Sequence, residues 1–402
     1  MGEAALSFLC KFGNSEKVQQ LLNKDPQLNL NNSKHFGQTP FYVACDNGKI
    51  DIVELLLNDD RVDVNRVENC WGFTPFYISC YKGHSEIVKL LLNDNRIDVN
   101  KVSNDGWTPF NVACFYGHID VVKLLLNDDR VDANKTDKYN GQTPFYIACW
   151  EGNIEIVKLL LSDERIGDIN TATNDGKTPF YSCCEKGHVE IVKLLLNEGD
   201  DRIDVNKGRG SGRTPFYISC EKGHSEVVKL LLNDNRIDIN RADTDGWTPF
   251  HVSCAYNQIE VVKLLLNDER IEVNQSNNYG QTPYWIACYY ESLEIVKLLL
   301  DDERIDVNKA DNEGGCTPFN VICLQGTIQI VEYIIASGKE SKIDIELGKE
   351  KRNMEKGESF NQKIIIELLE SFQKNPNEIR MKLRIKLGFA GRLIHNFLDF
   401  IL

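Results

Sequence analysis

Along residues 84–92 the chain reads HSEIVKLLL, three polar residues followed by an apolar group interrupted by one lysine. On a helix, Ile87, Val88, Leu90, Leu91 and Leu92 gather into one stripe, the pattern of a segment with one buried face. The same pattern returns as HIDVVKLLL at 118–126, each time behind a shorter apolar stretch such as TPFYISC at 74–80. The pairing of a short and a longer apolar helix, repeated, predicts a solenoid and not one compact core.

The repeat is fixed by Thr-Pro, found at 39–40, 74–75, 108–109, 143–144, 178–179, 214–215, 248–249, 282–283 and 317–318, at intervals of 34 to 36 residues. Threonine is a good N-cap, and proline at the first helical position loses no hydrogen bond while setting φ. Glycine stands two places before each threonine (Gly37, Gly72, Gly106, Gly141, Gly176, Gly212, Gly246, Gly280, Gly315), where a tight turn needs positive φ. A second glycine lies nine places after the threonine in seven copies, among them Gly83, Gly117 and Gly152, and suits a left-handed helix end. Asn257 and Glu291 replace it in the other two. Asparagine tolerates that conformation and glutamate disfavours it, so the helix pair at 284–300 is expected to be locally altered. A loop of the type NDNRIDVN, residues 93–100, closes each copy.

Thr-Pro-hydrophobe, a small-residue pair, Gly-His and Ile-Val-x-Leu-Leu-Leu, as in TPFYISCYKGHSEIVKLLL at 74–92 and TPFNVACFYGHIDVVKLLL at 108–126, resemble the ankyrin repeat. The resemblance spans about residues 4–338 and implies an all-α ankyrin-repeat solenoid: stacked helix pairs with β-turn or hairpin tips and a helical C-terminal segment. Residues 1–34 form a degenerate capping copy in which Ala4-Ala5 stand for Thr-Pro, residues 35–346 hold nine repeats, and 347–402 form a charged connection and a C-terminal cap or docking segment. This chain departs from the family in a longer connecting loop. It also carries mostly tyrosine (Tyr42, Tyr77, Tyr146, Tyr181, Tyr217) three places after the threonine, with histidine only at His251.

Beyond the repeats, FNQKIIIELLESF at 360–372 reads as a closing helix behind a polar stretch at 347–359. After Pro376 comes an apolar face with Arg380, Lys382, Arg384 and Lys386. Residues 349–402 carry 11 Lys and Arg against 7 Asp and Glu, a net of +4, which leaves −18 on the residues before them. That contrast fits a cap set against an acidic stack; it also fits a helix that docks on a second partner or a membrane surface.

Composition narrows the function. The whole chain carries −14 over 402 residues, which argues against a nucleic-acid surface. No apolar run approaches a membrane span, so no membrane contact is expected outside 376–402. With no secretory signal pattern, the 13 cysteines are expected to be reduced thiols in a cytoplasmic or nuclear protein. One cysteine stands six places after every threonine (Cys45, Cys80, Cys114, Cys149, Cys184, Cys220, Cys254, Cys288, Cys323), with Cys10 in the capping copy. Equivalent residues of neighbouring copies lie about 8–10 Å apart, too far for a disulfide or a shared zinc ion, so the ladder reads as small buried hydrophobes. Cys70, Cys183 and Cys316 fall off the ladder, and the two at turns are expected to be exposed.

His84, His118, His188 and His224 recur at the start of the second helix and read as structural. Paired acids such as Asp59-Asp60 and Asp128-Asp129 read as a solvated face. No nucleophile arrangement, phosphate loop or metal motif stands out, so no enzyme, cofactor or metal is expected.

What varies between copies is the place for a partner. The resemblance places the turn tips and the exposed end of the first helix on a concave face, at positions one and three before the threonine and seven and eight after it. There the chain is aromatic in two clusters: Trp71, Phe73, Tyr81, Trp107, Phe115, Tyr116 and Trp150, then Trp247, Tyr256, Tyr279, Tyr289 and Tyr290. Between them the same positions hold Lys177, Glu185, Lys186, Arg213, Glu221 and Lys222. Exposed aromatic clusters anchor interfaces, so the expected partner of this monomeric scaffold is a protein or peptide.

Overall fold

The computed structural model describes residues 2–33, 36–198, 202–339 and 359–389. Among them the chain forms 22 helices and no strand. Two compact units divide it, residues 1–210 and 211–402. The first holds the capping pair Gly2–Phe12 and Ser15–Lys24, followed by five repeats from Pro40–Asp46 to Val189–Glu198. The second holds four repeats, from Pro215–Lys222 to Ile328–Ser337, and then the helices Phe360–Lys374 and Pro376–Lys386.

One repeat shows why the sequence folds this way. The hydroxyl of Thr74 accepts from Tyr77 N at 3.0 Å, Pro75 opens the helix Pro75–Lys82, and Gly83 ends it at φ 72°. The second helix, Ser85–Leu92, buries Ile87, Val88 and Leu91. Leu90 and Leu92, placed on the same stripe from sequence, are only half-buried. Glu291 is a further correction. It adopts φ 56° as a glycine would, and the flanking helices Pro283–Tyr289 and Leu293–Asp301 keep the usual lengths.

Successive repeats are stapled at three levels. At the tips, Asn104 N donates to Trp71 O at 2.8 Å and Asn278 N to Asp245 O at 3.0 Å, single backbone bonds between turns. In the middle, the ring Nε2 of His118 bonds Tyr81 O at 2.9 Å and that of His188 bonds Trp150 O at 2.9 Å. Asn153 and Gln258 make the same reach with their amides, to Cys114 O at 2.8 Å and Glu221 O at 3.0 Å. Although tyrosine mostly replaces histidine three places after the threonine, side chains at that position also make ties. Tyr217 donates to Asp243, His251 Nε2 to Gln281 O and Trp285 Nε1 to Cys316 O, all at 3.0 Å.

The third level lies in the loops. Asn100 Nδ2 donates to Arg130 O at 2.6 Å while its Oδ1 accepts from Asp132 N at 2.9 Å, and Asn65, Asn240 and Asn274 do the same in their repeats. The loop also alternates inward and outward, so Ile97 and Val99 are buried.

The paired acids of these loops are not a uniform solvated face. Asp128 holds Arg130 at 2.6 Å, and that guanidinium donates to Leu92 O of the preceding repeat at 2.7 Å. Asp59, Asp94, Asp163, Asp234, Asp268 and Asp302 pair with arginine in the same way. In each, the hydrogen bond from arginine holds the carboxyl below the usual range. The second acid of the first pair, Asp60, is fully exposed and lies 3.9 Å from Arg96 of the next repeat.

At the C-terminal end, Gln362 Nε2 donates to Leu324 O at 2.7 Å, Arg384 Nε to Ala336 O at 2.8 Å, and Lys386 bonds Glu332 at 2.6 Å. Leu383 is buried. The predicted polar connection falls outside the described residues up to 358, as does the tail from 390.

Candidate functional site

The turn that carries Trp71 and Phe73 is built on a buried carboxylate. Glu68 accepts from Cys70 N at 2.7 Å, Trp71 N at 2.5 Å and Phe73 N at 3.2 Å. Ser103 does this for Trp107: its N–H donates to Trp107 O at 2.9 Å and its hydroxyl accepts from Trp107 N at 3.2 Å. Asp243 accepts from Trp247 N at 2.9 Å, and Asn277 from Tyr279 N at 3.0 Å. These residues, five or six places before the threonine, fix each tip before any partner arrives. Sequence reading missed them, although a short polar residue recurs at that distance.

All twelve aromatic residues singled out from sequence keep some exposure. Trp71, Tyr116, Tyr256, Tyr279, Tyr289 and Tyr290 are exposed; Phe73, Tyr81, Trp107, Phe115, Trp150 and Trp247 are half-buried. In the first unit they touch one another. Phe73 meets Tyr81 at 6.0 Å between centroids, Tyr81 meets Tyr116 at 4.7 Å, and Trp107 meets Phe115 edge-on at 5.2 Å. Tyr116 donates to the Tyr81 hydroxyl at 3.1 Å, and this bond, aided by partial burial, pushes the Tyr116 phenol up to about 12. Trp150 is stacked on Tyr146 at 6.2 Å and covered by the ammonium groups of Lys186 and Lys177 at 3.9 and 5.2 Å. In the second unit Tyr289 lies edge-on to Tyr290 at 5.3 Å and stacks on Trp285 at 5.3 Å.

A pairing rule emerges that eight-residue spacing could have revealed. The residue before the threonine touches the residue seven after it: Phe73 with Tyr81, Trp107 with Phe115, Lys177 with Glu185 at 2.8 Å, Arg213 with Glu221 at 3.2 Å. The charged positions between the aromatic clusters are therefore matched within the chain. Exposed aromatic residues outside those twelve are Phe36, which stands at the Trp71 position of its repeat, Tyr139, Phe8 and Phe12 of the capping helix, 5.2 Å apart, and Phe360 at the start of the first C-terminal helix.

Candidate chemistry elsewhere resolves to structure. The ten ladder cysteines and Cys183 are buried free thiols, whereas Cys70 is exposed and Cys316 half-buried. Burial pushes the Cys10 thiol up to about 12 and raises Cys45, Cys80 and Cys114 further, the opposite of an activated nucleophile. Among the described residues no cluster of His, Cys, Asp and Glu could hold a metal ion, and no helix is long and apolar enough to cross a membrane. The four basic residues of the last helix all have contacts in the chain. Beside Arg384 and Lys386, Lys382 pairs with Glu378 at 2.6 Å and Arg380 lies over Phe372 at 5.7 Å.

Comparison with curated proteins finds no match. A family model described as ankyrin repeats (3 copies) matches at residues 1–68, 61–137, 95–173, 130–209, 200–277 and 269–347. Ankyrin repeats are in general modules of protein–protein interaction and typically carry no enzymatic activity. With six overlapping matches covering residues 1–347 and stacked helix pairs throughout them, the chain belongs to the ankyrin-repeat family.

Proposed function

We propose that the protein is a non-enzymatic scaffold that binds a protein or peptide partner through the face made of its turn tips and first-helix ends. The aromatic residues of the variable positions are its anchors. The observation that carries this reading is their exposure: all twelve stay partly open to water, five of them (Trp71, Phe73, Trp107, Trp247 and Tyr279) on tips held by buried polar side chains and the other seven at first-helix ends. Rigid, amphipathic tyrosine and tryptophan surfaces supply contact area at low cost in conformational entropy.

Affinity capture with the intact chain, beside Trp107→Ala and Trp247→Ala, tests it. Either substitution should weaken capture by about ten-fold or more while the thermal unfolding midpoint holds, since a hot-spot truncation costs roughly 2 kcal/mol or more. Unchanged affinity for both would overturn the assignment. A second reading, an adaptor that recruits another partner or a membrane through the C-terminal helix, rests on Met381 and Ile385, exposed to 49% and 64%. Co-sedimentation of the full chain with anionic liposomes, lost in Ile385→Ser, would favour it; no sedimentation would remove the membrane form.

A further inference from the structure

The Thr108 and Thr248 repeats both open GWTPF and share Val and Cys four and six places after the threonine. Their tryptophans occupy the same place on equally fixed turns, yet their surroundings differ. Trp107 has the ring of Phe115 against it at 5.2 Å, and Phe115 in turn meets Tyr116 at 5.0 Å. The counterpart of Phe115 is Ala255, a half-exposed methyl group. The ring neighbour of Trp247 is His251, at 5.9 Å beneath it. Phe73, Lys177 and Arg213 all have a long side chain seven places after the threonine to touch, and Trp247 does not.

Beside the indole a half-exposed methyl group stands where the Thr108 repeat places a ring, which leaves that position open. Its floor is uncharged: His251 is buried, accepts from Thr248 N at 3.1 Å through Nδ1 and bonds Gln281 O through Nε2, the neutral tautomer. The same repeat and the next carry Tyr256, Tyr279, Tyr289 and Tyr290, all exposed. Their hydroxyls make no hydrogen bond among the described residues, unlike the paired hydroxyls of Tyr81 and Tyr116.

We propose that the space between Trp247 and Ala255 receives an aromatic side chain from an extended segment of the partner protein, which supplies in trans the ring that Phe115 supplies in cis. The exposed phenols of the same repeat and the next then hydrogen-bond the backbone of that segment. This rests on reading the face as the partner-binding surface. An aromatic occupant is favoured over a cationic one because the position is that of Phe115. The lysines that cover Trp150 reach it from other positions of the next repeat.

The test uses the intact chain labelled with 5-fluorotryptophan, whose five fluorine signals report each tryptophan. Capped pentapeptides Gly-Gly-X-Gly-Gly, with X as Phe, Lys or Ala, are the probes, and Trp247→Phe identifies the Trp247 signal. The Phe peptide should shift that signal saturably and at least ten-fold more tightly than the Lys or Ala peptide. Ala255→Phe should abolish the shift, and Phe115→Ala should make the Trp107 signal respond. An unmoved Trp247 signal, a Lys peptide that binds as well as Phe, or a response that persists in Ala255→Phe would overturn the slot. The two readings fail separately: partner capture unaffected by Ala255→Phe but lost in Trp247→Ala removes the slot and leaves the face, whereas capture unaffected in every anchor variant removes the face.

Discussion

His118 of one repeat lies across Gly83 of the repeat before it: a Cβ placed on Gly83 would stand 2.6 Å from the ring Nδ1. The glycine thus has two duties, a φ of 72° and an open floor for the histidine that reaches Tyr81 O. Gly83→Ala should therefore cost more than the roughly 1 kcal/mol of a left-handed residue alone, about 2–3 kcal/mol in all. Urea unfolding of the two chains checks this; a loss below about 1 kcal/mol would leave conformation as the whole cause.

Where glycine is replaced, the reaching residue changes with it. Asn257 and Glu291, at φ 55° and 56°, are followed in the next repeats by Ser292 and Thr327 in place of His, Asn or Gln. Glu291 bears the conformational strain without need of its side chain, so Glu291→Gly should stabilise the second unit by about 0.5–1 kcal/mol. Chemical denaturation reads the gain.

Asn100→Ala removes both halves of a clasp, the donor to Arg130 O and the acceptor of Asp132 N. The expected loss is about 1–2 kcal/mol, with faster amide exchange at Asp132 than at residues two repeats away. Uniform exchange along the array would contradict the local role.

His251 gives a pH signature. Burial holds its imidazole down to about 4, while the unfolded chain protonates near 6.5. The unfolded state thus takes up a proton first, so the stability His251 contributes is complete above about pH 6.5 and is lost as pH falls toward 4. The full effect is on the order of 3 kcal/mol. His251→Asn, which copies the capping boxes at Asn111 and Asn320, should flatten stability across that window.

Thiol labelling of the native chain should modify Cys70 first and Cys316 more slowly, with the other 11 cysteines reacting only on unfolding. Fast reaction of any ladder cysteine would contradict its burial.

The fold was legible because one physical solution is written nine times: the Thr cap, the Pro start and the Gly ends each declare their own backbone role. Buried cysteines and structural histidines were legible for the same reason, since a residue that recurs in every copy is serving the stack. Less visible were features that cross copies or hide in loops. Asp128 looked solvated because its partner Arg130 meets its second acceptor, Leu92 O of the preceding repeat, only after stacking. Leu90 and Leu92 looked core-facing because a helical stripe is wider than the contact that covers it. Of the aromatic face, positions could be named in advance, but pairings such as Trp107 with Phe115 required the turn and the helix end to be brought together.

The matched junctions of Gly83 with His118 and of Glu291 with Thr327 bear on how such an array can change over time. A copy that ends in Glu291 cannot precede one that begins with His118, because its side chain would occupy the floor that Gly83 leaves open. Duplication or deletion by recombination is thus tolerated where the new neighbours are of one junction type and penalised where types mix. The order of copies is inherited as adjoining pairs, and the array is less freely shuffled than its regular period suggests.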